Sequence, residues 1–113
     1  MSGSDMDKIK VIIKRPDEPF GHMATIENTL WNLQRIVDGN IEVLQCGTAL
    51  MILNEEGKLL GLPRNFMMGA VFKEEIVGTV IICGSEEGDD GDEFASVPFG
   101  METWKSLLHM WGN

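Results

Sequence analysis

The stretch Thr25–Glu42, TIENTLWNLQRIVDGNIE, most narrows the folds open to this chain. A start signal, an apolar period and a stop signal agree in it. Asn28 and Thr29 precede the period, and Asn at an N-cap accepts from the orphan N–H groups of a first turn. Leu30, Leu33 and Val37 follow at i, i+3 and i+7, with Ile36 alongside, which is one apolar stripe at helical spacing. Asp38-Gly39-Asn40 ends the stripe, Gly39 being suited to the left-handed C′ position. Ile41–Leu44 then alternates as a half-buried strand does. The expectation is a helix over 28–38, a tight turn and a strand. Trp31 projects roughly 140° from the centre of the stripe. Either a loop or another helix covers it, or it is an exposed aromatic of the kind enriched in partner contacts.

The flanking sequence supplies more strands. Lys8–Lys14 alternates around Ile9, Val11 and Ile13 and reads as the first strand. Arg15–Pro19 breaks it, since proline cannot continue a ladder, and Met23–Glu27 resumes as the return strand of a hairpin. Ile41–Gln45 and Ala49–Leu53 form a second hairpin across a short turn containing Gly47. Leu59–Asn65 mixes apolar residues with Gly61 and Pro63 and reads as an ordered loop; Phe66–Phe72 holds a short extended piece. Ile76–Cys83, IVGTVIIC, is a continuous apolar run fitting a central strand, with Gly78 marking a bulge or a close approach. Gly84–Glu93 carries six acids and three glycines and reads as a solvated, mobile loop. Phe94–Val97 is a short strand. Met101, Trp104, Leu107, Leu108 and Trp111 share one face of a closing amphipathic helix over 101–111.

Strand runs joined by short turns make this an α+β chain: an antiparallel sheet of about 4–6 strands with two helices packed on one face. Its length of 113 residues sets one domain, expected over 8–113, behind a disordered tail at 1–7. The formal net charge of −9 argues against bare duplex DNA or an anionic membrane as partner, both being polyanions. It suits a basic partner or mimicry of nucleic acid. Met1–Asp7 lacks the apolar region of a signal peptide, and no apolar run is long enough to span a bilayer. Cys46 and Cys83 form neither a disulfide framework nor a zinc spacing. A cytoplasmic chain with reduced, packed thiols is expected.

Little in the sequence announces chemistry. The only histidines are His22, in a loop, and His109, on the polar face of the closing helix. Neither stands beside a recognisable nucleophile motif, and no nucleotide or metalloprotease signature occurs. Asp89–Glu93 lacks the alternating ligand pattern of a calcium hand. Glu55-Glu56 and Glu74-Glu75 are adjacent pairs, which on a strand point to opposite faces. No cofactor, no metal and no enzymatic activity are expected. The Leu60–Asn65 loop is the best polar candidate. Arg64 offers a planar five-donor fork, Asn65 an amide and Gly61 an approachable backbone, together suited to a phosphate or carboxylate. Alternatively, Asn65 caps the loop and Arg64 pairs with an acid. Lys14 and Arg15 are the other basic pair.

The motifs IKVxIKxP, IENTLxxLQxxVxGxIE and NEEGKLxGLPxN, with IxGTxxI and an acidic loop before EFxS, resemble a small domain family of unknown function carried by phages, plasmids and mobile elements. The resemblance runs over Lys8–Trp111. The chain departs from the family pattern at Trp31, where an acid would complete a capping box, and over Phe66–Glu75. The resemblance implies a mobile-element setting and a host-takeover or anti-defence role. The expected function is therefore a non-enzymatic inhibitor that binds a host defence protein or sequesters a small nucleotide signal. Arg64, Asn65, Gly61, Lys14, Arg15 and Trp31 are the candidate contacts. The competing expectation is a structural or regulatory homo-oligomeric module.

Overall fold

The computed structural model describes residues 7–89 and 91–113. Of the expected tail only Asp7 is among them, and its carbonyl accepts the Asn28 N–H at 2.7 Å. The architecture is α+β, as expected. β1 (Lys8–Lys14) and β2 (His22–Glu27) form a hairpin in continuous antiparallel register, from Lys8 opposite Glu27 to Ile13 opposite His22. After α1 (Leu30–Val37), β3 (Ile41–Cys46) and β4 (Ala49–Asn54) form a second hairpin. β5 (Arg64–Met68) and β6 (Glu74–Val77) make a small separate sheet. β7 (Val80–Gly88) joins the two larger hairpins, giving the order β2-β1-β7-β4-β3. β8 (Gly91–Ala95) pairs β7 beyond them, and α2 (Met101–Met110) closes the chain.

The expectation that both helices share one face is corrected. Side chains alternate along a strand, and the buried residues of the central strands divide accordingly. Ile12, Met51, Leu53, Val80 and Ile82 pack with Trp104, Leu108 and Trp111 of the α2 side. Ile9, Val11, Ile13, Ile52, Ile81 and Cys83 pack with Leu33 and Val37 of α1. The helices therefore lie on opposite faces. The cause is in β4 and β7, whose apolar runs bury side chains in both directions, so each face needs its own cover.

The α2 layer is the more substantial. Phe66 from β5 joins it, stacked on Trp111 at 6.1 Å between centroids and edge-on to Trp104 at 5.6 Å. Such pairs add to area burial by about 0.5–1.5 kcal/mol each. Trp104 is fully buried, and its Nε1 donates to the Phe20 carbonyl at 2.8 Å. The α1 layer is thinner. An eight-residue helix is only about 12 Å long. It leaves Ala24, Ile26, Leu50 and Phe94 partly buried on its side of the sheet.

Helix α1 starts and stops differently from expectation. Thr29, not Asn28, is the N-cap, its Oγ1 accepting the Asn32 N–H at 3.2 Å. Asn28 instead sends its Nδ2 to the Phe94 carbonyl, tying the helix entry to β8. The left-handed residue at the C-terminus is Asp38, at φ 63°. Gly39 is there for space: a Cβ on it would lie 2.6 Å from the Asn54 Nδ2. That amide donates to the carbonyls of Val37 and Asp38, finishing the helix from the neighbouring strand.

Two strand boundaries also move. The run Ile76–Cys83 is not one strand. Gly78, at φ 74°, breaks it, so Ile76 and Val77 belong to the small sheet and Val80 onward to the large one. The acidic stretch is not a loose loop throughout. Ser85–Gly88 pairs Gly91–Phe94 as a hairpin, with Asp90 outside the described residues.

Candidate functional site

The basic residues singled out from sequence fall into three separate places. Lys14 is buried, and its Nζ donates to the Asn65 Oδ1. Both N–H groups of the Asn65 amide are spent as well, on the carbonyls of Lys14 and Gly78, each at 2.8 Å. Lys14 also sits 5.6 Å from the centre of the Phe66 ring. Burial pushes its ammonium below the ordinary lysine value, against the pull of Glu18 and Asp17. The pair is thus a lock that fastens β5–β6 to β1, with no side-chain group of Asn65 left for a ligand.

The remaining polar candidates lie elsewhere. Arg64 donates from Nε to the Glu75 Oε2 at 2.8 Å across the small sheet, an exposed pair. Arg15 lies 3.7 Å from Glu18, which also accepts the Arg15 N–H and meets His22 Nδ1, both at 2.9 Å. The Arg15 N–H, ahead of His22, holds the Glu18 carboxyl below its usual value. Gly61 is exposed in the turn before β5. Three cations that were candidates for one anion grip are each turned toward a partner of their own.

Among the described residues, the histidines, cysteines and clustered acids are not brought together in one centre. His109 is exposed on α2. Among the described residues, no three His, Cys, Asp or Glu side chains are placed to hold a metal ion. Cys46 and Cys83 are free thiols in opposite layers. Burial raises both, Cys83 to about 12, so neither has the depressed value of a reactive cysteine. The unfolded chain releases the Cys83 proton once pH passes 9, while the folded chain keeps it until about 12. Stability should therefore fall with rising pH in that window, by about 1 kcal/mol at pH 10 from this group. Urea unfolding at pH 8 and pH 10 checks it, because Cys83→Ala should flatten the loss by that amount.

The α1 side has the opposite character. Trp31 is 71% exposed with the Arg35 guanidinium 5.7 Å from its ring centre, and the adjacent Leu30 is 58% exposed. On the Leu30 side of the helix a cleft of about 300 Å³, lined by Leu30, Leu33, Leu50 and Phe94 but not by Trp31, is bordered by Asp92 and Glu93. It lies between the entry of α1 and the β7–β8 hairpin, where the short helix stops covering the sheet. Trp31 was legible as a residue off the apolar stripe. Leu50 and Phe94 were not, because each looks like an ordinary strand position until the two hairpins are brought together.

Residues 9–109 match a family described as a domain of unknown function, DUF3846. The chain belongs to the DUF3846 family. No curated protein and no solved structure matches it. The match spans both layers of this DUF3846 chain, from β1 to α2, so the α1 cleft and the Lys14–Asn65 lock both lie inside the domain. No helix among the described residues is long and apolar enough to cross a membrane.

Proposed function

We propose that this DUF3846 domain works without chemistry of its own, as an inhibitor that occupies a partner protein through its α1 face. The observation that carries the reading is the exposed Trp31 on a short helix whose Leu30 and Leu33 also line an apolar cleft. A large aromatic left in water and an apolar depression on the same element are the composition of an interface surface. The sequestering of a nucleotide signal is the weaker branch. It needs cations that converge on phosphates, whereas Lys14, Arg15 and Arg64 are engaged separately. The mobile-element setting implied by the sequence motifs makes a host defence protein the target class.

Affinity capture from host-cell lysate tests this, with the unmodified domain, Trp31→Ala and Arg64→Ala as baits. A protein retained by the first and third baits and lost from the second is the expected result. Trp31→Ala should weaken that complex by about 2 kcal/mol, or thirtyfold. A captured set indifferent to Trp31→Ala overturns the reading. The homo-oligomeric alternative is favoured by a different observation: Val71 and Phe72, at the tip of the β5–β6 hairpin, are 81% and 93% exposed. Light scattering at high concentration, with Phe72→Ser as control, distinguishes it.

A further inference from the structure

We infer that the α1 cleft receives an extended basic peptide, one apolar side chain of which enters the cleft while flanking lysines or arginines meet the β7–β8 hairpin. This rests on the reading of the α1 face as the partner-binding surface and specifies the chemistry of what binds there. Three independent features of the hairpin carry it.

The first is charge. The register sets Glu86 opposite Glu93 and Glu87 opposite Asp92. Like charges directly opposite on a two-stranded ribbon repel and destabilise it. Alternation puts Glu87 and Asp92 on the same face as Ser85 and Phe94, and Glu86 and Glu93 on the other. Lys8 lines a neighbouring depression together with Glu86 and Glu93, so the pair on the cleft side is Glu87–Asp92. A basic ligand on that side would relieve the Glu87–Asp92 repulsion. On the α1 face itself the cations are sparse: Arg35 is the one Lys or Arg on the helix, and it is turned onto Trp31 and the Asn32 Oδ1.

The second is a free backbone edge. The register of β4 on β7 ends at Leu50 opposite Cys83. From Ser85 to Gly88 the only strand paired with β7, among the described residues, is β8. The other edge of Ser85–Gly88 therefore offers unpaired main-chain groups of the sort an extended peptide completes by adding a strand. The third is the cleft itself. Ser85 belongs both to that open edge and to the cleft wall, and Leu50 and Phe94 lie on its floor. A strand added at the edge would place alternate side chains toward the cleft. The charge, the edge and the apolar floor thus specify one ligand: extended, basic and with a central apolar residue.

The probe is a capped heptapeptide with leucine at its centre and alternating lysine and arginine on each side, fluorescently labelled and titrated with the full chain. It should bind about tenfold tighter than the same peptide with serine at the centre, the difference that burial of one apolar side chain supplies. Affinity should fall steeply from about 50 to 300 mM salt. Glu87→Gln with Asp92→Asn should weaken it several-fold, and Leu30→Ser should erase the preference for leucine. Amide shifts should concentrate in Ser85–Glu87. Equal affinity for the leucine and serine peptides, or no binding, overturns the inference, as does a dimer that occludes the cleft. These outcomes are separate from the capture experiment. A partner lost on Trp31→Ala while the leucine peptide fails leaves the proposed function standing and removes this ligand. A peptide that binds while captured proteins ignore Trp31 does the reverse.

Discussion

Trp104→Ala should lower the free energy of unfolding by about 3–5 kcal/mol, the usual cost of deleting a buried aromatic. Trp104 is fully buried and is the centre of the α2 layer. It contacts Phe66 and Trp111 edge-on, and its N–H satisfies the carbonyl of Phe20 in the loop joining β1 to β2. The substitution opens a cavity and strands a carbonyl in the same step. Because a domain of this size is stable by only about 5–15 kcal/mol, that loss is a large share of the whole. Trp104→Phe keeps a ring but loses the N–H, and should cost about 1–3 kcal/mol. Urea unfolding followed by circular dichroism ranks the three chains. Trp31→Ala, taken from an exposed site, should differ from the parent by less than about 0.5 kcal/mol. Near-equal costs at Trp31 and Trp104 would contradict the two-layer description.

Asn65→Ala should cost about 2–4 kcal/mol, although its side chain is neutral and only partly buried. The amide satisfies two carbonyls and gives the buried Lys14 ammonium its side-chain acceptor. Removing it leaves a cation out of water without its partner, which costs more than the hydrogen bond was worth. Lys14→Met should be far milder, because it removes the charge along with its need. The double variant should therefore be more stable than the sum of the single costs predicts, by about 1–2 kcal/mol. Hydrogen exchange adds a local readout. In Asn65→Ala the β5–β6 amides should lose protection ahead of β1, β4 and β7, since the lock holds the small sheet to the large one. Strict additivity of the two substitutions would show that the Lys14–Asn65 contact does not fasten anything.

The elements most legible in the sequence were those written locally. The period of Leu30, Leu33 and Val37, the alternation in Lys8–Lys14, the hairpin around Gly47 and the apolar face of α2 all correspond to elements of the structure. The arrangement of the layers was legible in part. The apolar run Ile76–Cys83 implies burial on both sides of the sheet, and that already requires cover on both faces. Placing two helices on one face conflicts with it, and the opposed clusters around Leu33 and Trp104 resolve the conflict. The site was least legible. Lys14 and Asn65 are 51 positions apart, so nothing near either one marks the lock. Arg64 looked available because a sequence does not say which of many acids it will meet, and here it meets Glu75. Trp31 stood out only by failing to fit the stripe. The cleft at Leu30 depends on α1, β4 and β8 meeting, which no local pattern encodes.

The thin cover of the α1 side has a consequence for how such a domain can change over time. The layer that fastens the molecule, with its aromatic trio and its lysine–asparagine lock, lies on the far side of the sheet from the exposed part of α1. Leu30, Trp31 and Arg35 are exposed positions on one short helix whose ends are secured by Thr29 and Asn54. Substitutions at those three positions spend almost nothing of the stability held in the other layer. A lineage built on this frame can retarget itself one exposed side chain at a time, without first having to acquire a stabilising change elsewhere.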